Sequence, residues 1–154
     1  MSKHSHSVTA AVDHRVVWEH WTNTDHWPAD NPLVAKAQIN GPLAKGALGI
    51  VYPVGGRRQG FRIVVADQQN HRFAIRLRLL LAYLTVEFSL QRPQAGDAPD
   101  AATDAEGPNP HLWVLTHTLL FTGPAARLWD RLRGRAIADS FPGAMAAIVD
   151  AAAV

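Results

Sequence analysis

Residues 33–79 read LVAKAQINGPLAKGALGIVYPVGGRRQGFRIVVADQQNHRFAIRLRL, and their apolar positions recur every second residue in four blocks: LVAKAQI, ALGIVYP, GFRIVVA and HRFAIRLRL. Between the blocks lie Asn40-Gly41-Pro42 with Gly46, then Gly55-Gly56 with Arg57-Arg58, then Asp67-Gln68-Gln69-Asn70, all turn-forming chemistry. Period two punctuated by short turns predicts four consecutive strands of an antiparallel meander. Alternation also sorts the faces. In the last block Phe73, Ile75, Leu77 and Leu79 point one way, whereas Arg72, Arg76 and Arg78 point the other.

Outward from this core, residues 82–91 (AYLTVEFSLQ) continue as a fifth sheet segment with Leu84, Val86, Phe88 and Leu90 inward, although no Gly, Pro or Asn marks the turn before it. Residues 112–121 (LWVLTHTLLF) predict a last strand with Trp113, Leu115, His117, Leu119 and Phe121 inward. Before the meander, residues 6–12 (HSVTAAV) predict a short first strand. Asp13 then caps a helix over 14–22 whose Val17, Trp18 and Trp21 share a face. Residues 22–32 read as a loop that contains Trp27. After Gly123-Pro124 a helical segment of about 29 residues follows, with apolar positions at Leu128, Leu132, Ile137, Phe141, Met145 and Ile148. The step of five between Leu132 and Ile137, beside Gly134 and ahead of Pro142, predicts a bend within 133–142.

This order is α+β: a curved antiparallel sheet must bury one face against the long C-terminal helix. With 154 residues, 47% hydrophobic and 18% charged, the chain suffices for one folded domain and lies outside the composition of disorder. Residues 93–111, with four prolines, four acidic residues and no Lys or Arg, read as a mobile acidic loop within it. Zero cysteines exclude disulfides and thiolate chemistry. A net charge of +2 with scattered arginines argues against nucleic acid as a partner. The longest uncharged run in the apolar stretch 73–90 is Leu79 to Val86, eight residues, too short to cross a bilayer. No apolar run near the start marks the chain for export, so the expected location is cytoplasmic.

The runs VVWEHWTNTDHWP (16–28), GPLAKGALGIVYPVGG (41–56), VLTHTLLFTGP (114–124) and RLWDRLRGRAIADSFPGAM (127–145) resemble the polyketide cyclase/dehydrase branch of the START-like (SRPBCC) superfamily, over about residues 6–150. The resemblance implies a helix-grip fold with an elongated apolar cavity, shared by lipid carriers, aromatase/cyclases, plant hormone binders and co-chaperone subunits. It carries no catalytic group onto this chain, because Phe88 stands where many relatives have a polar residue or His, and Leu80-Leu81-Ala82 replaces their Gly- or Pro-marked turn.

The expected ligand-lining residues are Trp18 and Trp27 before the meander, Ile63, Ile75, Leu77, Val86 and Phe88 on the central strands, Trp113, Leu115 and His117 on the last strand, and Phe141 and Met145 on the helix. His117 is singled out because a polar group on an inward face needs a partner or a ligand. His4 and His6 fall at an N-terminus expected to fray, and His14, His20 and His26 at surface or loop positions, so no metal site is expected. Arg127, Arg131 and Arg135 form a basic stripe for solvent or an anionic partner. A membrane surface is disfavoured there because the sheet needs the helix's apolar face. No GxSxG, HExxH, phosphate loop or paired carboxylates appear. The expected function is binding of a small hydrophobic or amphipathic molecule, without cofactor and without stable membrane insertion; a cyclase/dehydratase using His117 as acid/base and a protein-interaction module are the alternatives.

Overall fold

The computed structural model describes residues 1–93 and 109–154. Seven strands form one antiparallel sheet: β1 (Ser2–Ala11), β2 (Val34–Asn40), β3 (Leu48–Pro53), β4 (Gln59–Asp67), β5 (Arg72–Leu79), β6 (Ala82–Gln91) and β7 (Leu112–Thr122), in the order β1-β7-β6-β5-β4-β3-β2. Helix α1 (His14–Thr22), a single turn Thr24–His26 and the short α2 (Trp27–Asp30) carry the chain from one sheet edge to the other. The C-terminal helix comprises α3 (Ala126–Trp129), a π-helical turn Asp130–Gly134 and α4 (Arg135–Ala152). This is the α+β arrangement expected from the element order, with the helix-grip architecture that the resemblance implied.

Ladder register stacks the inward side chains in rows across the sheet. One row runs His6, His117, Phe88, Phe73; the next runs His4, Leu119, Val86, Ile75, Ile63; a third runs Phe121, Leu84, Leu77, Phe61. These rows, with Trp18 and Trp21 from α1 and Phe141, Met145 and Ile148 from α4, make one contiguous core. At about 25 cal/mol per Å², burying each of these large side chains contributes roughly 1.5–3 kcal/mol. The outward face is polar: Ser7 and Thr116 hydroxyls meet at 2.8 Å, and Arg72 pairs with Glu87 at 2.7 Å.

Several expectations need correction. β1 begins at Ser2, not residue 6, because its whole length pairs with β7 and Asp130 accepts hydrogen bonds from Ser2 Oγ and His4 Nε2, so the N-terminus does not fray. Residues 24–30 are helical turns rather than open loop; the Trp27 indole donates to the Trp21 carbonyl at 3.0 Å and its ring lies 5.6 Å from Phe61. Leu128 and Leu132 do not face the sheet. They are 56% and 64% exposed, while Ala126 and Gly134 fill the buried positions. A π turn, Asp130–Gly134, interrupts the helix and reaches into the stretch 133–142 where the bend was expected. Residues 94–108 of the acidic stretch lie outside the described residues. Its flanks are tied down, with the Arg92 guanidinium donating to the carbonyls of Pro110 and Leu112.

The turn between β5 and β6 is two residues long, Leu80-Leu81, between the paired Leu79 and Ala82. Leu81 takes φ +57°, the left-handed region that favours glycine. A tight turn forms here with no turn residue in the sequence.

Candidate functional site

His117 lies on β7 between Leu115 and Leu119 and is only 2% exposed. The Phe88 ring stands 4.6 Å from it and Phe141 5.5 Å, both edge-on, and Trp21 lies 6.2 Å away. Trp21 stacks on Phe88 at 5.8 Å, Phe88 on Phe73 at 6.0 Å, and Trp18 meets Phe73 edge-on at 6.3 Å. The imidazole thus sits in an aromatic box built by three elements. The sheet supplies Phe88, α1 supplies Trp21 and α4 supplies Phe141, with Phe73 packed on Phe88 and Trp18 on Trp21 and Phe73.

Neither ring nitrogen of His117 has a hydrogen-bond partner among the described residues, and the buried Trp21 indole nitrogen has none either. Burial holds the His117 imidazole down at about 3, with its ladder neighbour His6 adding a smaller push in the same direction. The side chain is therefore neutral, with one N–H to donate and one lone pair to accept. Leaving such a group unpaired costs about 1–3 kcal/mol.

On the outer side of Phe141 a half-open pocket of about 390 Å³ lies between β1 and α4, lined by His4, Ser5, His6, Ala138, Asp139, Phe141 and Pro142. Phe141 is common to the pocket and the box, and His6, the ladder neighbour of His117, also lines the pocket. Pro142 follows it inside α4 and has no N–H to give the Ala138 carbonyl one turn earlier. Helix hydrogen bonding is thereby weakened at the pocket wall.

The remaining expected lining residues divide by position. Ile63, Ile75 and Val86 share the row adjoining that of His117, and Leu77 lies one row further. Leu115 and Met145 are fully buried in the same core, and Trp18 is 8% exposed. Trp27 and Trp113 lie apart from the box. Trp27 covers Phe61, while Trp113 sits 5.0 Å from His71 and 5.6 Å from His14 with the Arg92 guanidinium 3.8 Å over its ring. His20 is not a surface group: it donates to Asp30 at 2.7 Å and stacks on His26 at 4.1 Å. Trp21, Phe73 and His6 were missing from the expected site. Trp21 shares a helix face with Trp18, and the alternation His4, His6, Val8, Ala10 already aims His6 inward. Among the described residues, no group of three or more His, Asp or Glu is placed to hold a metal.

No protein-family model and no curated protein matches the chain. Solved structures do. Norcoclaurine synthase from Thalictrum flavum, in complex with dopamine and hydroxybenzaldehyde, is 14% identical with a TM-score of 0.66 over 97% of this chain and 84% of that one. A hypothetical protein from Helicobacter pylori, jhp0584, is 10% identical with a TM-score of 0.71 over 98% and 88%. The protein XoxI from Bacillus cereus is 12% identical with a TM-score of 0.64 over 97% of each. At these identities the likeness concerns the backbone alone: the chain has the helix-grip fold of the Bet v1-like and START-like (SRPBCC) proteins.

Proposed function

We propose that the protein binds a small, uncharged, amphipathic molecule in the sheet–helix interior, entering past Phe141 and hydrogen bonding to His117. The observation that carries this reading is the unpaired, neutral imidazole among three aromatic rings. Rings of that kind favour a flat or apolar body, and the imidazole is suited to a hydroxyl or carbonyl on it. Charge is disfavoured, because a neutral His offers no counter-ion and an unpaired ion buried there would be costly. Of the two ligands named with norcoclaurine synthase, hydroxybenzaldehyde is an uncharged hydroxylated aromatic, which supports testing that class first. Placement in the polyketide cyclase/dehydrase branch rests on the sequence resemblance, and the solved neighbours do not extend to it.

The enzymatic alternative assigns His117 acid/base work. An imidazole held at about 3 is a poor proton acceptor near neutral pH and carries no proton to donate as imidazolium. Binding is therefore the better reading.

The test is a fluorescence titration with 1-naphthol and with naphthalene, read from quenching of the tryptophans beside His117. Saturable binding of 1-naphthol about tenfold tighter than naphthalene is expected, corresponding to one hydrogen bond, and His117→Phe should remove the difference. Absence of saturable binding by either probe would overturn the reading. Binding that ignores the His117 change would remove His117 from it.

A further inference from the structure

The first turns of the C-terminal helix carry a surface that neither the core nor the His117 box uses. Leu128 and Leu132 are 56% and 64% exposed, and Leu80 and Leu81 at the β5–β6 turn are 76% and 67% exposed. These leucines belong to one end of the molecule. The Trp129 indole donates to the Leu80 carbonyl at 2.9 Å, and the Ala125 amide donates to the Leu81 carbonyl at 3.0 Å, so the turn is fastened to α3. Around them Arg78, Arg127, Arg131, Arg133 and Arg135 are all exposed. Asp130 is the sole acidic residue from Thr122 to Ala138, and its carboxylate is engaged by Ser2 and His4. No acidic residue occurs between Arg72 and Leu84.

Folding does not explain this arrangement. Leu81 occupies a left-handed conformation in which glycine would be unstrained, and the result is two leucines at the tip of a turn in water. Along the C-terminal helix Ala126 and Gly134 are buried and both leucines point outward. Clustered exposed leucines at an end rich in arginine and free of available carboxylates have the chemistry of a surface that meets lipid. Aliphatic side chains enter the boundary between headgroups and acyl chains, while guanidiniums reach the phosphates. Leucine is a weak anchor in protein–protein interfaces, where Trp, Tyr and Arg carry the energy, and Trp129 here is turned onto Leu80 rather than outward. We propose that this end of the protein docks peripherally on an anionic lipid surface, with Leu80, Leu81, Leu128 and Leu132 inserted and the arginines on lipid phosphate. The proposal is independent of the His117 reading.

The experiment is flotation of the full chain with two kinds of vesicle, pure phosphatidylcholine and phosphatidylcholine with about a third phosphatidylglycerol, each at low and at high salt. Binding to the anionic vesicles at low salt, weakened by high salt and much weaker on the neutral ones, is expected. Leu128→Ser with Leu132→Ser should cut the partition at least tenfold, and Arg127→Ala with Arg131→Ala about 25-fold, near fivefold for each arginine lost. Arg15→Ala with Lys45→Ala removes the same charge away from this end, at the start of α1 and in the β2–β3 turn, and should leave the partition within about threefold. All six side chains are exposed, and unchanged melting of each variant checks the fold. No flotation with anionic vesicles at low salt overturns the proposal, as does equal binding to neutral vesicles. Equal loss in the Arg15/Lys45 variant reduces the effect to net charge and also overturns it. A dimer in sedimentation that Leu128→Ser with Leu132→Ser dissolves would assign the patch to a second copy of the chain instead.

Discussion

Replacing His117 by Phe removes an imidazole whose two nitrogens are unpaired and whose surroundings are Trp21, Phe88 and Phe141. Two effects oppose each other near neutral pH. Removing an unmet polar group from the interior gains about 1–3 kcal/mol, while forcing a six-membered ring into the place of a five-membered one costs up to about 1–2 kcal/mol. The variant should therefore match or exceed the parent at pH 7. Acid separates them further. The unfolded chain takes up the His117 proton near 6.5, whereas the fold holds it off until about 3, so protonation favours the unfolded chain. Stability from this residue is complete above 6.5 and is lost as pH falls towards 3, at about 1.4 kcal/mol per unit. Between pH 7 and pH 5 the loss is about 2 kcal/mol.

Urea unfolding of parent and His117→Phe at pH 7 and pH 5, followed by tryptophan fluorescence and circular dichroism, measures this directly. The other histidines are the same in both proteins, so the difference between the curves isolates His117. Its gain over the parent should widen by about 2 kcal/mol on acidification. A difference independent of pH would mean that His117 is charged, or open to water, in the native state. A variant less stable at both pH values would mean that the imidazole has a buried partner, and the reasoning behind the proposed ligand site would fail with it.

Gly134→Ala should destabilise by about 2–4 kcal/mol, since a Cβ there would stand 1.9 Å from Asp130 Oδ1 and must displace the carboxylate that holds Ser2 and His4; faster amide exchange over residues 2–6 than elsewhere in β1 checks the local origin. Leu81→Gly should raise stability by up to about 1 kcal/mol, because relief of the left-handed strain exceeds the added chain entropy, and a fall in melting temperature would refute the strain. Replacing residues 94–108 by a short turn should leave the melting temperature within a few degrees, because Gln91 and Val114 are already ladder partners and a short connection can close them; loss of cooperative unfolding would assign those residues a packing role.

Most of the sheet was legible because its two faces differ in chemistry. Leucine, isoleucine and phenylalanine against arginine at every second position of β5 leave only one register that buries the apolar set. Helix α1 was equally plain, with the Asp13 carboxylate accepting from the Arg15 amide at 2.9 Å and two tryptophans one turn apart. The misreadings arise where backbone geometry is set by tertiary contacts. Nothing local announces a turn at Leu80-Leu81, yet the pairing of β5 with β6 and the hydrogen bonds to Ala125 and Trp129 hold it. A helical wheel at 3.6 residues per turn, phased on the buried Phe141, Met145 and Ile148, already turns Leu132 and Leu128 outward, so the misreading came from following apolar residues along the helix instead of its phase.

The candidate site follows the same division. Strand alternation was enough to aim His117 inward, because its direction depends only on its neighbours Leu115 and Leu119. Whether it has a partner there depends on what α1 and α4 bring across the core, and they bring Trp21 and Phe141 rather than a hydroxyl or carboxylate. The same two helices therefore decide both properties of the box: they remove water, which keeps the imidazole neutral, and they provide no group to satisfy it. A change at Phe141 that admits water should then raise the His117 titration towards its ordinary range without touching the imidazole itself. Phe141, 5.5 Å from the imidazole and shared with the outer pocket, is the position at which that expectation is tested.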